Sequence, residues 1–208
     1  MWTQESIHEA VEQQRACFQS GRTLDIDWRI NQLIRLKIAV QTYEKELEQA
    51  LHDDLGRTTA EAYLTDIGVV IVEIDEAIHG LKKWDRPETH LSGLVCFPSV
   101  ITKVYKMPYG VSLIISPFNF PILLSIGVLA ASIAGGNTAV IKASSKSSNC
   151  TKVMQEMIAS AFPQEYITVI DGGHDVADFC LAERFDKIFY TGSPKVGKHV
   201  MSEASKNL

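Results

Sequence analysis

Residues able to bind a phosphate occur near the end of the chain, in the string FYTGSPKVGK (189–198). Ser193 is a good helix N-cap and Pro194 suits a first helical turn, so the string predicts a helix that begins here. The unpaired N–H groups and the positive dipole end of such a helix attract a phosphate. Gly192 and Gly197 are expected to let backbone, ligand and a neighbouring strand approach closely. The alternative is an ordinary capped helix without a ligand.

The same string comes one residue short of a P-loop. Residues 192–199 are GSPKVGKH, whereas a P-loop has the pattern G-x-x-x-x-G-K-[ST]. The missing hydroxyl is the magnesium ligand of a P-loop, and Pro194 lacks one of the N–H donors that such a loop uses. A P-loop nucleotidase is therefore the weaker interpretation. The sequence also contains no G-x-G-x-x-G fingerprint, so a dinucleotide would have to bind without that motif.

Two further positions carry side chains that could take part in catalysis or ligand binding. In the string SPFNFP (116–121), Asn119 lies between two prolines at the predicted end of a strand. Its side-chain amide can donate hydrogen bonds, which suits an oxyanion donor near a reacting carbonyl. The alternative for Asn119 is the N-cap of a helix beginning at Pro121. Lys142 directly follows a buried strand and is placed to bind ribose hydroxyls or phosphate, or else is an ordinary surface lysine.

Four β-then-α units are predicted to position these residues. The strands are Val111–Ile115, Thr138–Ile141, Ile167–Ile170 and Lys187–Tyr190, and the helices are Pro121–Ala134, Ser147–Phe162, Asp175–Leu181 and Pro194–Ala204. Short apolar strands alternating with helices indicate an α/β fold with a parallel sheet covered on both faces. Ligands bind beyond the carboxyl ends of such strands, where small and polar residues cluster here. The pattern predicts a nucleotide site.

The first third of the chain predicts helices. One spans Ile7 to Phe18, a second is capped by Asp25 or Asp27 and continues to Leu51, and a third runs from about Thr59 to Leu81 with Tyr63 inward. Residues 82–93 are predicted as a loop. Leu94–Phe97 and Val100–Tyr105 are predicted as two short strands of a hairpin or arm. The predicted division is therefore a helical part (1–93), a β arm (94–107) and a sheet part (108–208).

Composition excludes several classes of protein. The chain has 208 residues, 46% of them hydrophobic and 22% charged, which is typical of globular proteins. The net charge of −5 argues against a nucleic-acid or anionic-membrane binder. Residues 107–141 carry no charge, but prolines and the Gly135-Gly136-Asn137 turn divide them into a strand and a helix rather than a membrane span. Four separate cysteines without C-x-x-C or zinc-ligand spacing predict no metal site and a reducing, cytoplasmic setting.

Taken together, the strings SPFNFP (116–121), GNTAVIK (136–142) and YTGSPKVG (190–197) resemble the aldehyde dehydrogenase superfamily in order and spacing. Three earlier strings, LHDDLGR (51–57), EAYLTDIG (61–68) and LKKW (81–84), resemble its class 3, fatty-aldehyde-type branch. The resemblance covers nearly the whole chain. It implies a Rossmann-like cofactor-binding domain, NAD or NADP as cofactor, an aldehyde substrate oxidised to a carboxylate, and a homodimer.

The resemblance also implies roles for residues. Asn119 would donate to the oxyanion formed when a cysteine thiolate adds to the aldehyde. Lys142 would hold the adenosine ribose, and Gly192 to Gly197 would lie along the pyrophosphate. The cofactor-binding residues expected from the matching strings and from the small and polar residues that follow the predicted strands are Ser116, Pro117, Phe118, Lys142, Ser145, Gly172, Gly173, Thr191, Gly192, Ser193, Val196 and Gly197.

The sequence departs from the family in two places. The family's ribose string is I-K-P-S-E, whereas here Ala143 replaces the proline and Ser145 stands where the glutamate is expected. Without that carboxylate a 2′-phosphate meets less repulsion, so we expect NADP to be tolerated. The family's L-E-L-G-G and G-Q-x-C strings, which carry the catalytic base and nucleophile, do not occur in these 208 residues.

Three hypotheses therefore remain open from the sequence. The chain is the N-terminal part of an aldehyde dehydrogenase and inactive alone, or a natural nucleotide-binding or interaction module without catalysis, or a different nucleotide-binding α/β protein. An isolated part of this kind is also expected to self-associate through its arm, because an uncovered hairpin presents a pairing edge.

Overall fold

The computed structural model describes residues 2–91 and 101–207. Its helices are α1 (Gln4–Gln19), α2 (Ile26–Thr42), α3 (Glu44–Leu55), α4 (Thr59–Ala62), α5 (Gly68–Trp84), α6 (Val128–Ala134), α7 (Ser148–Ala161), α8 (His174–Ala182) and α9 (Pro194–Ala204). Its strands are β1 (Glu88–Leu91), β2 (Ile101–Val104), β3 (Val111–Ile115), β4 (Thr138–Lys142), β5 (Ile167–Ile170) and β6 (Lys187–Tyr190). Two π-helical turns, Tyr63–Ile67 and Leu123–Gly127, lead into α5 and α6.

The four strands β3 to β6 form one parallel sheet in the order β5-β4-β3-β6. The chain winds outward from β3 through β4 to β5 and then crosses to β6 on the other side of β3. Ligands in open α/β sheets bind where the winding reverses, which here is between β3 and β6. Ile115 pairs with both Lys142 and Tyr190, so the carboxyl ends of these strands lie at one edge. The predicted fold class is confirmed.

Helices cover both faces of the sheet. On one face α2, α3, α5, α6 and α7 enclose a core that includes Leu33, Ile74 and Met154, all fully buried. On the other face α1, α8 and α9 enclose a smaller core around Leu113 and Val176. Strands β4 and β5 are buried throughout, as is typical of a parallel sheet, whereas β6 is half-exposed along its length.

Two predictions for the helical part are corrected. The predicted second helix is two helices, because α2 ends at Thr42 and α3 begins at Glu44. Of the two predicted caps, Asp25 caps α2 by accepting the Trp28 N–H (2.6 Å). Tyr63 was expected inward and is 42% exposed. The π-helical turn that begins at Tyr63 explains this difference, because a π turn is wider than an α turn and rotates earlier residues away from the face that later ones share.

The loop predicted for residues 82–93 is wrong at residues 82–84 and 88–91. Helix α5 continues to Trp84, where Lys82 and Lys83 suit the negative end of the helix dipole. Glu88–Leu91 then form β1, which pairs antiparallel with β2 (Ile101–Val104). Strand β2 lies within the predicted strand Val100–Tyr105, but its partner in the described residues is β1 rather than Leu94–Phe97. The predicted strand Leu94–Phe97 lies outside the described residues. The division at residues 93 and 107 stays a prediction.

Within the described residues, no helix has both the length and the apolar character that a membrane crossing requires.

Candidate functional site

The structure brings the predicted site residues together at the carboxyl edge of the sheet. Two backbone hydrogen bonds tie the loops that leave three adjacent strands. The Ser116 N–H donates to the Lys142 carbonyl at 3.2 Å, and the Thr191 N–H donates to the Ile115 carbonyl at 3.1 Å. These bonds continue the sheet one residue past each strand. The loops after β3, β4 and β6 therefore start from a rigid common edge.

Lys142 is the buried cation of this edge. It is only 4% exposed, so the alternative of an ordinary surface lysine is wrong. Its Nζ donates to the carbonyls of Ala143 (2.7 Å) and Gly172 (2.8 Å), which ties the end of β4 to the loop after β5. Burial lowers the pKa of this ammonium, while Cys180, Asp171 and Asp175 oppose that shift. An ammonium has three donors, and within the described residues two of them are used, which leaves one for a ligand.

Gly172 is required by the loop that receives Lys142. Its φ of +129° lies in the region that side chains disfavour, and an added Cβ would lie 2.5 Å from Cγ2 of Val176. Gly173 follows as the N-cap residue of α8 and makes no side-chain cap. Gly172 therefore allows the backbone turn that directs its own carbonyl toward Lys142.

Helix α9 begins as predicted. Ser193 is its N-cap and accepts the Val196 N–H at 3.4 Å, and Pro194 occupies the first turn. The cap removes donors, however, since Pro194 has no N–H and Val196 is bound to Ser193. The N–H groups of Gly192, Ser193 and Lys195 have no partner within the described residues. This helix end therefore offers a phosphate fewer donors than the sequence implied.

Tyr190 explains both glycines of the same string. Its hydroxyl donates to the Ser193 carbonyl at 3.1 Å. A Cβ added at Gly192 would overlap the Tyr190 hydroxyl, and one added at Gly197 would lie 3.3 Å from the ring. The close approach expected at these glycines is therefore made by the chain's own tyrosine.

Asn119 is exposed, and its side-chain amide has no hydrogen bond to the described residues. The alternative of a helix N-cap is wrong, because Asp66 caps this helix instead. Asp66 Oδ1 accepts the N–H groups of Ile122 (3.1 Å) and Leu123 (2.7 Å). Since the cap comes from a distant segment, the Asn119 amide stays available to a ligand.

The neighbours of Asn119 differ in what they present to the surface. Ser116 is 5% exposed and its Oγ accepts from Ser125 Oγ at 2.6 Å, so its hydroxyl is already engaged within the protein. Pro117 is half-buried and Phe118 is exposed, with Lys146 Nζ 5.2 Å from its ring centre. Ser145 is exposed beside them, in the loop after β4.

A slot between α8 and α9 was missed by sequence reasoning. It has a volume of about 290 Å³ and apolar walls from Ile115, Ala177, Leu181, Val196 and Val200. The sequence signal that could have indicated the slot is the apolar i, i+4 pair on each helix, Ala177 with Leu181 and Val196 with Val200. Such pairs also fit ordinary core packing. A larger groove of about 560 Å³ lies between α5 and α6 beside Phe189, away from these residues.

A parallel sheet with a winding reversal, a buried lysine at its carboxyl edge and an apolar slot beside a helix N-terminus is an arrangement typical of nucleotide-binding α/β proteins. Comparison with known proteins narrows the class. The family model for the aldehyde dehydrogenase family matches residues 1–208. The chain belongs to the aldehyde dehydrogenase family.

Relatives and solved structures agree with this assignment. The chain is 40% identical over 204 residues to 4,4′-diaponeurosporen-aldehyde dehydrogenase of Staphylococcus aureus, covering 97% of this chain and 44% of the relative. It is 38% identical to aldehyde dehydrogenase family 3 member F1 of Arabidopsis thaliana, covering 98% and 42%. A substrate-bound structure of Staphylococcus aureus AldH superposes with a TM-score of 0.94 at 38% identity, covering 97% and 44%. The chain thus spans less than half the length of these relatives.

Proposed function

We propose that this chain is the cofactor-binding part of an NAD(P)-dependent aldehyde dehydrogenase, and that Asn119 is its oxyanion donor. The observation that carries the proposal is Lys142, a buried ammonium at the carboxyl edge of a parallel sheet that uses two of its three donors within the described residues. Solved structures of the same fold have been described in complex with NAD+ and with NADP. When bound, the nicotinamide cofactor accepts a hydride from the substrate.

The residues present fit a dinucleotide. The apolar slot between α8 and α9 has room for a flat base, and its volume of about 290 Å³ is near the lower end of ligand pockets. Lys142 lies at the end of the neighbouring strand, where its remaining proton would reach a ribose hydroxyl. The unpartnered N–H groups of Gly192, Ser193 and Lys195 would bind the pyrophosphate. Thr191, Val196 and Gly197 belong to the same turn.

Cofactor choice follows from the loop after β4. A polar pocket of about 320 Å³ here is lined by Ser144, Ser145, Lys152 and Asp171, among others. A serine at position 145 removes one carboxylate, and Lys152 adds a positive charge, whereas Asp171 opposes a phosphate. We therefore propose that both NAD and NADP bind, with NADP tolerated.

The Ser145→Glu variant tests this choice. A carboxylate facing the pocket repels a 2′-phosphate, so we expect NADP affinity to fall at least tenfold and NAD affinity to change by less than threefold. Calorimetric titration of both cofactors, with Ser145→Gln as the uncharged control of similar size, measures the difference. A wild-type chain that binds NAD strongly and NADP not at all would contradict the proposal.

The described cysteines are poor nucleophiles. Burial raises the pKa of Cys180 to about 12, and burial together with Asp54 raises the pKa of Cys150 still further. Burial also raises the pKa of Cys17. Since the thiolate is the reactive form, these thiols are inert at neutral pH. We propose that the 208-residue chain binds cofactor and does not oxidise aldehydes by itself.

Two assays on the isolated chain test this pair of statements. Cofactor titration should show saturable binding, and NADH formation with a long-chain aldehyde should stay at the background rate. Lys142→Met should weaken binding at least tenfold, because it removes the buried donor. Enzyme-like turnover would contradict the proposal that the chain does not oxidise aldehydes by itself. Absence of cofactor binding would contradict the proposed cofactor role.

Binding without turnover is also what a natural non-catalytic module would give. Sequencing the reading frame past Leu208 distinguishes that alternative, since a continuation into the L-E-L-G-G and G-Q-x-C strings excludes it. We further propose that the β1–β2 hairpin mediates self-association. A cytoplasmic setting and the absence of nucleic-acid partners stay predictions.

A further inference from the structure

We propose that Arg57 is a positioning residue for Asn119, held in place by Asp66. The inference rests on the proposed function of Asn119 and concerns how the chain fixes that residue. Asn119 is exposed in the loop after β3, and its side chain makes no hydrogen bond to the described residues. Its direction must therefore be set through the backbone.

The Arg57 guanidinium reaches this backbone directly. Its Nη2 donates to the Asn119 carbonyl at 2.6 Å, and the group lies 4.9 Å from the centre of the Phe120 ring. Its Nη1 donates to Thr65 Oγ1 at 2.8 Å and pairs with Asp66. The planar fork thus uses both nitrogens and its face, which a lysine cannot do. Arg57 is therefore fixed by Thr65 and Asp66, and it contacts two consecutive residues of the loop, Asn119 and Phe120.

Asp66 ties the same loop at its other end. This side chain is fully buried, and burial raises its pKa, while the Leu123 N–H, Arg57 and the Ile122 N–H oppose that shift. Both Ile122 and Leu123 donate to its Oδ1. A buried carboxylate needs such partners, because an unpaired charge in the interior is costly. One ion pair therefore fixes the chain both at Asn119 and just beyond Pro121.

The consequence concerns where the amide points. Pro117 and Pro121 restrict the backbone on either side of Asn119, and Arg57 fixes the intervening carbonyl. A side chain on a backbone fixed at both ends has few directions left. Oxyanion donors act only when they are preorganised at the position of developing charge, and a displacement of about 1 Å costs about a hundredfold in rate. Arg57 would supply that order from outside the site.

The test measures the order of Asn119 by 15N relaxation of its backbone and side-chain amides. Arg57→Gln keeps a polar side chain but loses the fork and the charge, and Arg57→Lys keeps the charge beside Asp66. Arg35→Gln is the matched control, because Arg35 also donates to a backbone carbonyl, of Ala161 at 2.5 Å, and also faces an aromatic ring, of Phe162 at 5.7 Å.

We expect the backbone order parameter at Asn119 to fall from about 0.85 to below about 0.6 in both Arg57 variants and to stay unchanged in Arg35→Gln. Amides near Lys142 and Ser193 should keep their order in all three. A folded Arg57 variant in which Asn119 stays ordered overturns the proposal. So does failure of both Arg57 variants to fold, since Arg57 would then support the whole fold rather than this loop.

Cofactor titration of the wild-type chain separates this inference from the proposed function. No binding, together with loss of Asn119 order in the variants, rejects the cofactor role and keeps the positioning role. Normal cofactor binding, together with an order of Asn119 that does not change in the Arg57 variants, keeps the cofactor role and rejects the positioning role.

Discussion

At the scale of single residues, Tyr190 shows why a glycine-rich string need not signal ligand approach. Gly192 and Gly197 both have φ outside the left-handed region, so neither is required by the backbone. Instead, each faces the Tyr190 ring. Gly192→Ala should therefore destabilise the chain by about 1–3 kcal/mol in the wild-type background and by much less when Tyr190→Val has removed the ring.

Chemical denaturation of the two single variants and the double variant measures this coupling. Gly197→Ala is the control, because its Cβ would meet the ring at 3.3 Å, a milder contact, and should cost less. If Gly192→Ala costs the same with and without the ring, the tyrosine is not the reason for the glycine.

Cys180 carries a pH dependence whose sign is fixed by burial. Its pKa rises from the 9.0 of an exposed thiol to about 12, mainly because burial disfavours the thiolate. Between these values the unfolded chain loses a proton that the folded chain keeps, so the stability this thiol contributes is present below pH 9 and lost as pH rises through 12. Cys180→Ala should flatten the fall of unfolding free energy above pH 9, measured by denaturation at several pH values.

The half-buried Cys17, whose pKa is also raised, is the control for that series, and Cys17→Ala should flatten the curve less. Equal slopes in wild type and Cys180→Ala would show that this thiol does not ionise in the range.

The environments of the site residues could not be predicted from residue types alone, for one physical reason. The local sequence around Lys142 is compatible with an exposed side chain. In the structure its ammonium is buried and donates to two carbonyls that are separated from each other by 29 positions in the chain. Asn119 looks like a helix cap, but Asp66 takes that position from more than 50 residues away. Both outcomes depend on contacts between distant segments, which a local pattern does not contain.

At the scale of elements, the sheet strands could be predicted to within one residue, because β3, β4 and β5 are short, mostly apolar runs between turn residues. Strand β1 was missed because Glu88, Thr89 and His90 are polar and offer no alternation. The start of α7 shows a third case. Ser147 stands at its N-cap without capping it, and Asp54 at the end of α3 accepts the N–H groups of Cys150 (2.8 Å) and Asn149 (3.3 Å).

Asp54→Ala should therefore lower the melting temperature, with a loss of about 1–2 kcal/mol, since a helix N-terminus loses its acceptor and its compensating charge. Asp53→Ala is the matched control, because Asp53 only accepts from Gln49 one turn earlier on the same helix. Calorimetry of the two variants and Ser147→Ala compares them. A larger loss from Ser147 than from Asp54 would show that the serine is the effective cap.

At the scale of the whole molecule, the exposed apolar surface is unevenly placed. On and after the β1–β2 hairpin, Ile101, Tyr105, Met107 and Tyr109 are each more than 60% exposed. An exposed hairpin edge with apolar side chains favours pairing with another chain.

We expect the isolated chain to self-associate as concentration rises, and the Ile101→Lys, Met107→Lys double variant to weaken that association at least tenfold. Charge cannot explain such a result, because two added lysines reduce the net negative charge and hence the repulsion between copies. Leu64→Lys with Val72→Lys is the control, since these side chains are 72% and 65% exposed on the α4–α5 segment and add the same charge. Light scattering over a concentration series measures all three proteins. Association lost equally in both double variants would place the contact elsewhere, and a wild-type chain that stays monomeric at high concentration would reject the arm as an interface.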